Sequence, residues 1–312
     1  MLSTWTLCLG ALITAPSPRT FVPEREPAVI IDLRSRAEYA ERHLSGASSI
    51  PLASLAERLY TLPPPAEWPL ELVGSRAELA DACDFLRPHG WGPILRDAAE
   101  PSTWARTPTE RGDTSAPSWR PNSFLHAALR EARPDVDGPA AALDLGCGSG
   151  RDAVFIGDAL GPAWSVYGID NHAAALDRAR ALAAEARAND NNVEFVELDL
   201  RKRGIVLPDN APPVGLVHGC RFLSAPLLAA IPSLLAPGGL VVWSTFADGA
   251  DGRASAAPPH RRSRRLERGQ MRAALGEDAG FDVLYDGEGE LLTRGVWVPA
   301  QFFCARRRSE VR

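Results

Sequence analysis

A chain of 312 residues with 45% apolar and 23% charged side chains is long enough for about two domains with buried cores. Its formal net charge of -5 gives no whole-chain attraction to nucleic acid or to an anionic membrane surface. The five cysteines (Cys8, Cys83, Cys147, Cys220, Cys304) are scattered without a C-x-x-C pair, so no disulfide framework and no metal site are expected, and the reducing cytoplasm is the default compartment.

In chain order, residues 1–22 read as a tail. Their short apolar run carries no Lys or Arg before Arg19, lacks the charged start of a secretory signal and is too short to span a bilayer; organelle targeting stays open. Residues 23–97 read as a small α/β unit, with strands at "VIID" and "PLELVG" and a helix over "RAELADACDFL". Residues 98–121, rich in Pro, Ser, Thr and Gly without apolar periodicity, read as a linker.

From 122 to 306 amphipathic helices alternate with apolar strands, and 307–312 form a second tail. "AALDLG", "SVYGID", "VEFVEL", "VGLVHG" and "GLVVWSTF" are the strands; "DAVFIGDAL", "AALDRARALAAEARA" and "PLLAAIPSLL" are the helices between them. This rhythm predicts a parallel sheet with helices on both faces. A helix over "MRAALGEDA" and two further strands, "FDVLYDGE" and "GVWVPAQFFCARR", close the pattern.

The turn "GCGSG" follows the first of these strands and opens a helix, at the sheet edge where open α/β folds bind ligands. Gly146, Gly148 and Gly150 let backbone approach a ligand closely. A dinucleotide loop would place a sixth-position glycine where Arg151 stands, and a phosphate loop would end in Gly-Lys-Ser/Thr; neither pattern fits. Asp144 beside the turn disfavours a pyrophosphate and suits a ligand carrying an ammonium group. Asp170, followed by Asn171, ends the next strand in the position of a ribose-binding carboxylate, and Asp199-Leu200 end the third.

This constellation resembles the class I S-adenosylmethionine-dependent methyltransferases. The resemblance implies a Rossmann-like seven-stranded sheet over 122–306 and S-adenosyl-L-methionine as cofactor. Asp144, Gly146, Cys147 (through its backbone), Gly148 and Gly150 would form the first motif, Asp170 and Asn171 the ribose site, and Asp199 and Leu200 the adenine flank. "GCRFLSAPLLAAIPSLLAPGG", with Arg221, Phe222, Leu223 and Pro237-Gly238-Gly239, further resembles the tellurite-resistance and thiopurine-type branch, which implies a small-molecule acceptor such as a thiol or chalcogen species. His218 and Arg221 at the end of the fourth strand are the catalytic candidates, His218 as a base and Arg221 as an orienter of an anionic substrate. Both also have plain readings, as a satisfied polar residue and as an ion-pair partner. Cys220 beside them reads more simply as a buried hydrophobe, and Asp152 either as a contact to a bound cofactor or as a helix-dipole partner. The basic run "HRRSRRLERG", 260–269, reads as a solvated loop.

The first unit carries a second resemblance. Asp32 and Arg34, Glu38 and Tyr39, His43, Ser45-Gly46-Ala47 and Ile50-Pro51 are spaced as in the amino half of a rhodanese-like domain. A sulfurtransferase needs a cysteine on the loop after its central strand; here Val73 or Gly74 takes that position and Cys83 falls inside the following helix. An inactive domain is expected, available for docking or for a protein partner. No nucleic-acid-reading element appears, so nucleic acid and membrane partners are not expected. A non-enzymatic, cofactor- or partner-binding regulatory role is the alternative to the enzyme.

Overall fold

The computed structural model describes residues 19–21, 26–105, 107–186, 193–248, 265–293 and 295–309. The chain divides into two compact units: one of residues 1–23, 124–291 and 297–312, the other of residues 24–123 and 292–296. In chain order the elements are β1 (Arg19–Thr20), β2 (Val29–Asp32), α1 (Arg36–Glu41), β3 (His43–Leu44), β4 (Ala47–Ser49), β5 (Leu70–Gly74), α2 (Arg76–Leu86), β6 (Ile94–Asp97), α3 (Pro101–Ala105) and β7 (Thr109–Glu110). There follow α4 (Ser123–Glu131), β8 (Ala140–Leu145), α5 (Arg151–Leu160), β9 (Trp164–Asp170), α6 (Ala173–Glu185), β10 (Val193–Glu197), α7 (Leu200–Arg203) and β11 (Val214–Cys220). The last are α8 (Ala225–Leu234), β12 (Leu235–Phe246), α9 (Gln270–Leu275), β13 (Phe281–Thr293) and β14 (Val296–Arg307).

The larger unit is built on an eight-stranded sheet in the order β1-β13-β14-β12-β11-β8-β9-β10. The neighbours from β12 to β10 run parallel, and β14 pairs antiparallel with β12. Chain order runs outward from β8 through β9 to β10 and then returns to β11 on the other flank of β8. The direction of winding therefore reverses between β8 and β11, and the crevice beyond their carboxyl ends is where such a sheet receives ligands.

Side-chain alternation decides what each face carries. Ala141, Leu143 and Leu145 of β8 join Val217 of β11, Val241 and Trp243 in one buried cluster. Ala142 and Leu216 face the opposite cluster, with Ala153 and Ile156 of α5. Two residues further along the same faces come Asp144 and His218, which are direct register partners. Polar groups thus enter the α5 face where the strands reach the crevice.

The sheet has eight strands where seven were expected, because Arg19–Thr20, within the stretch read as a tail, pairs in parallel with Gly287 and Glu288 of β13. The exposed backbone edge of the long strand β13 accepts this extra strand. Phe21 fixes it, packing 5.1 Å from Phe124 and 4.9 Å from Phe302. Residues 1–18 and 22, the rest of that tail, lie outside the described residues. Among the described residues no helix is long and apolar enough to cross a membrane.

The smaller unit has a four-stranded parallel sheet, β4-β2-β5-β6. Ser35 with Glu38 and Ser75 with Glu78 form complete capping boxes, which start α1 and α2 immediately after β2 and β5. Arg34 grips the buried carboxylate of Asp32 through both oxygens, Nε at 2.9 Å and a terminal nitrogen at 2.6 Å. Tyr39 donates its hydroxyl hydrogen bond to the Ala47 carbonyl at 2.7 Å and stacks on the His43 ring.

The segment 98–121, read from sequence as a linker, is instead built into this unit. β7 pairs antiparallel with β3. Trp104 lies between the guanidinium groups of Arg34 and Arg42, at 4.9 and 4.8 Å. Ser48 donates to the Ala116 carbonyl at 2.6 Å, and the Trp68 indole to that of Pro121 at 2.7 Å. The segment is held by short backbone pairing, with the Gly112 and Ala116 amides donating to the Ala40 and Ala47 carbonyls, and by scattered side-chain bonds, so it carries none of the apolar periodicity that sequence reading relies on.

Candidate functional site

The glycine turn, 146–150, joins β8 to α5. The amides of Gly146 and Cys147 donate to the Ile169 carbonyl at 2.8 and 3.1 Å, which ties the turn to the end of β9. Gly148 has φ +54° and a Cβ there would meet no atom within 4 Å, so glycine is required by the backbone and leaves open space. Gly150 serves packing: its φ is +79°, and a Cβ would stand 2.7 Å from Ala179 Cβ and 2.8 Å from the Phe195 ring. Cys147 contributes backbone; its largely buried thiol is pushed far above the ordinary range by burial and the surrounding carboxylates.

Asp170 closes β9 and organises the rim. One carboxylate oxygen accepts from the Gly148 amide and the other from the His172 amide, each at 3.0 Å. Asp199 caps α7, accepting from the Arg201 amide at 3.1 Å, with Lys202 Nζ 3.5 Å from its other oxygen. A cleft at this edge is lined by Gly146, Asp170, Asn171, Leu198, Asp199, Leu200, Arg201, Cys220, Arg221 and Phe222. The structure therefore brings together Gly146, Asp170, Asn171, Asp199, Leu200 and Arg221 from the sequence-derived set, whereas Asp144, Cys147, Gly148 and Gly150 are not among the lining residues.

At the end of β11 the chain turns sharply. Arg221 has φ +54°, rare for a side chain with a Cβ, and its amide donates to the Ser244 carbonyl at 2.8 Å. The Trp243 indole pins the next residue by donating to the Phe222 carbonyl at 3.0 Å. Arg201 lies with its guanidinium carbon 5.0 Å from the Phe222 ring centre and donates to the Leu223 carbonyl at 3.3 Å. Sequence reasoning missed Arg201; its place two residues after Asp199 was the available signal.

His218 is not among the residues that line this cleft. It is fully buried, and both ring nitrogens are engaged: Nδ1 lies 3.0 Å from the Val242 carbonyl and Nε2 3.2 Å from Asp152 Oδ2. Asp144, also buried, completes a cluster in which one donor atom from each of the three residues lies within 4.8 Å of the others. Asp144 Oδ2 has no hydrogen-bond partner. Burial pushes Asp144 up to about 7, against the pull of the His218 charge, with Asp152 and Asp170 adding to the rise. His218 is itself held above its ordinary value: burial opposes its charge, and the bond to Asp152 and the two carboxylate charges outweigh that.

Of the basic run at 260–269, residues 260–264 lie outside the described residues. The adjoining Arg265 and Leu266 are buried, with the Leu266 amide donating to the Phe246 carbonyl at 2.8 Å, whereas Glu267, Arg268 and Gly269 are exposed as a solvated loop would be.

Residues 142–239 match the family model described as "Methyltransferase domain". The chain is 25% identical over 301 residues to "Uncharacterized protein UNK4.09" of Schizosaccharomyces pombe, covering 83% of this chain and 88% of that protein. It is 32% identical over 97 residues to the trans-aconitate 2-methyltransferase of Streptomyces coelicolor, covering 28% and 31% of the two. Among solved structures, the magnesium protoporphyrin IX methyltransferase of Synechocystis PCC 6803 with bound SAH aligns at a TM-score of 0.41 and 21% identity. That alignment covers 59% of this chain and 80% of that one.

Proposed function

From the match of residues 142–239 to the methyltransferase domain model, we propose that the protein transfers a methyl group from S-adenosylmethionine to a small-molecule nucleophile, a thiol or chalcogen species or a related acceptor. The observation that carries this reading is the unpartnered, buried oxygen of Asp144 at the base of a glycine turn whose next neighbour is the carboxylate of Asp170. A buried carboxylate oxygen without a donor is costly. A cofactor bearing an ammonium group and two ribose hydroxyls supplies what this edge lacks, so the residues present fit it.

Asp170 and Asn171 would take the ribose and Asp199 with Leu200 would flank the base, while the buried Asp144 beneath the turn would answer the ammonium group. Bound there, the cofactor supplies an already activated methyl on a sulfonium. The protein's part is alignment and exclusion of water. Arg221, on its strained turn at the mouth of the cleft, orients an acceptor that carries negative charge, and Phe222 with Leu200 shields the apolar wall. Among the described residues lining the cleft, the carboxylates of Asp170 and Asp199 are engaged by backbone amides, which suits an acceptor that loses its proton readily, such as a thiol or selenol.

The smaller unit is, on this reading, a rhodanese-like scaffold without sulfurtransferase activity. β5 ends at Gly74 and α2 begins at Arg76, so a single residue, Ser75, spans the place of the catalytic loop; Cys83 is buried within α2. The test of the whole proposal is transfer of label from methyl-labelled S-adenosylmethionine to a panel of thiols and chalcogen oxyanions. Labelled product from at least one acceptor class supports it. Cofactor bound with no transfer to any acceptor, protein included, would turn the reading to a regulatory binding protein.

A further inference from the structure

The cluster under the glycine turn holds three titratable groups in a space that tolerates little net charge. Asp144 and His218 sit opposite each other on β8 and β11, and Asp152 reaches His218 Nε2 at 3.2 Å from the first turn of α5. His218 Nδ1 donates to the Val242 carbonyl, which fixes the ring and leaves Nε2 directed at Asp152. With the imidazole protonated and both carboxylates ionised, the cluster carries one uncompensated negative charge. Burying that charge is expensive, and a proton on Asp144 removes it.

We propose that Asp144, Asp152 and His218 form a proton-exchanging site beneath the glycine turn, in which the cofactor's ammonium group takes the place of a proton on Asp144. The inference rests on S-adenosylmethionine being the ligand of this edge. In both states the buried site is neutral: an imidazolium–Asp152 pair beside a protonated Asp144 before binding, and the same pair beside an Asp144–ammonium pair after it. The displaced proton passes to solvent, so cofactor binding is coupled to pH through this chain's own residues.

The groups acting on Asp144 from each surrounding element fix the direction of that coupling. His218 on β11 favours its ionised form, as does the Ala153 amide of α5, whereas Asp152 of α5 and Asp170 of β9 favour the protonated form. The Cys147 thiol of the turn stays protonated throughout the neutral range. Burial dominates, and Asp144 titrates at about 7. Below that pH the cofactor must displace a proton, so affinity falls about tenfold for each pH unit of acidification; above it the dependence disappears. The amino group of the cofactor itself titrates near about pH 8, which weakens binding on the alkaline side for a separate reason.

Calorimetric titration of the full chain with S-adenosylmethionine, and separately with S-adenosylhomocysteine, tests this between about pH 6 and 8.5 in pairs of buffers that differ in ionisation enthalpy. The expected result is release of about one proton per cofactor at about pH 6, falling toward zero once Asp144 is ionised. Asp144→Asn should abolish both the proton release and the acid limb while keeping the alkaline one. His218→Gln removes the positive charge that holds Asp144 ionised, so its acid limb should move to higher pH; circular dichroism and melting curves on both variants check that they fold. Cofactor binding in the wild-type chain with a dissociation constant independent of pH from about 6 to 7.5, and no buffer-dependent heat, overturns the proton exchange while leaving the cofactor assignment standing. No binding at any pH overturns both.

Discussion

Replacing Asp170 by alanine distinguishes a cofactor-binding edge from a glycine turn that is only a structural corner. In the structure this carboxylate holds two amides at 3.0 Å, one from Gly148 in the turn and one from His172 at the start of α6. Hydrogen bonds to a charged group contribute about 1.5–3 kcal/mol each, partly offset in an accessible site by water that replaces them. Removal loosens the turn and takes away the acceptor for the ribose hydroxyls together. We expect a net loss of about 1–3 kcal/mol in cofactor binding, a dissociation constant raised about 5- to 150-fold. Asp170→Asn, which keeps one acceptor oxygen, should fall between wild type and alanine. Calorimetric titration reads the affinity, and melting curves on the same samples exclude a general loss of fold. An unchanged dissociation constant in the alanine variant would move the ribose elsewhere and refute the assignment of this strand end.

Two glycines should respond differently to the same substitution. Gly150→Ala adds a Cβ 2.7 Å from Ala179 Cβ in a left-handed backbone conformation, a combination costing about 2–4 kcal/mol and visible as a lowered melting temperature. Gly148→Ala meets no protein atom and should cost only the backbone penalty of about 1–2 kcal/mol; equal destabilisation at the two sites would contradict the packing role of Gly150. In the smaller unit, Arg34→Ala removes both guanidinium bonds and the counter-charge of the fully buried Asp32 carboxylate, leaving it only the amide of residue 34, and should destabilise that unit by about 3–5 kcal/mol in chemical denaturation. A change under about 1 kcal/mol would show that Asp32 is solvated without its partner. The purified chain should transfer no sulfur from thiosulfate to cyanide; turnover that survives Cys83→Ser would mean that another group serves as the sulfur acceptor.

The parts of the molecule that were legible in the sequence are those governed by local periodicity. Strand-helix alternation marked out β8 to β12 and their helices, and three acids at three strand ends located the rim, because a carboxylate after an apolar run marks where a strand leaves the core. What escaped was long-range. The contact between Asp152 and His218 joins residues 66 apart, and only the register of β11 against β8, together with α5 packing on one sheet face, brings Asp144 beside them. The sequence therefore left His218 open between a base and a satisfied polar residue, and its bonds to Val242 and Asp152 came only from that register. Arg201 over Phe222 and the pairing of Arg19–Thr20 with β13 likewise depend on tertiary neighbours that no local window contains. The segment 98–121 escaped because polar, proline-rich chain held by short backbone pairing and scattered side-chain bonds has the composition of a linker.

Whether this edge of the sheet holds S-adenosylmethionine is tested most directly by calorimetric titration of the purified full chain with S-adenosylmethionine and, in parallel, with NAD. Saturable binding of the first at one site per chain and none of the second is the predicted result. Binding of NAD alone, or of neither, would contradict it.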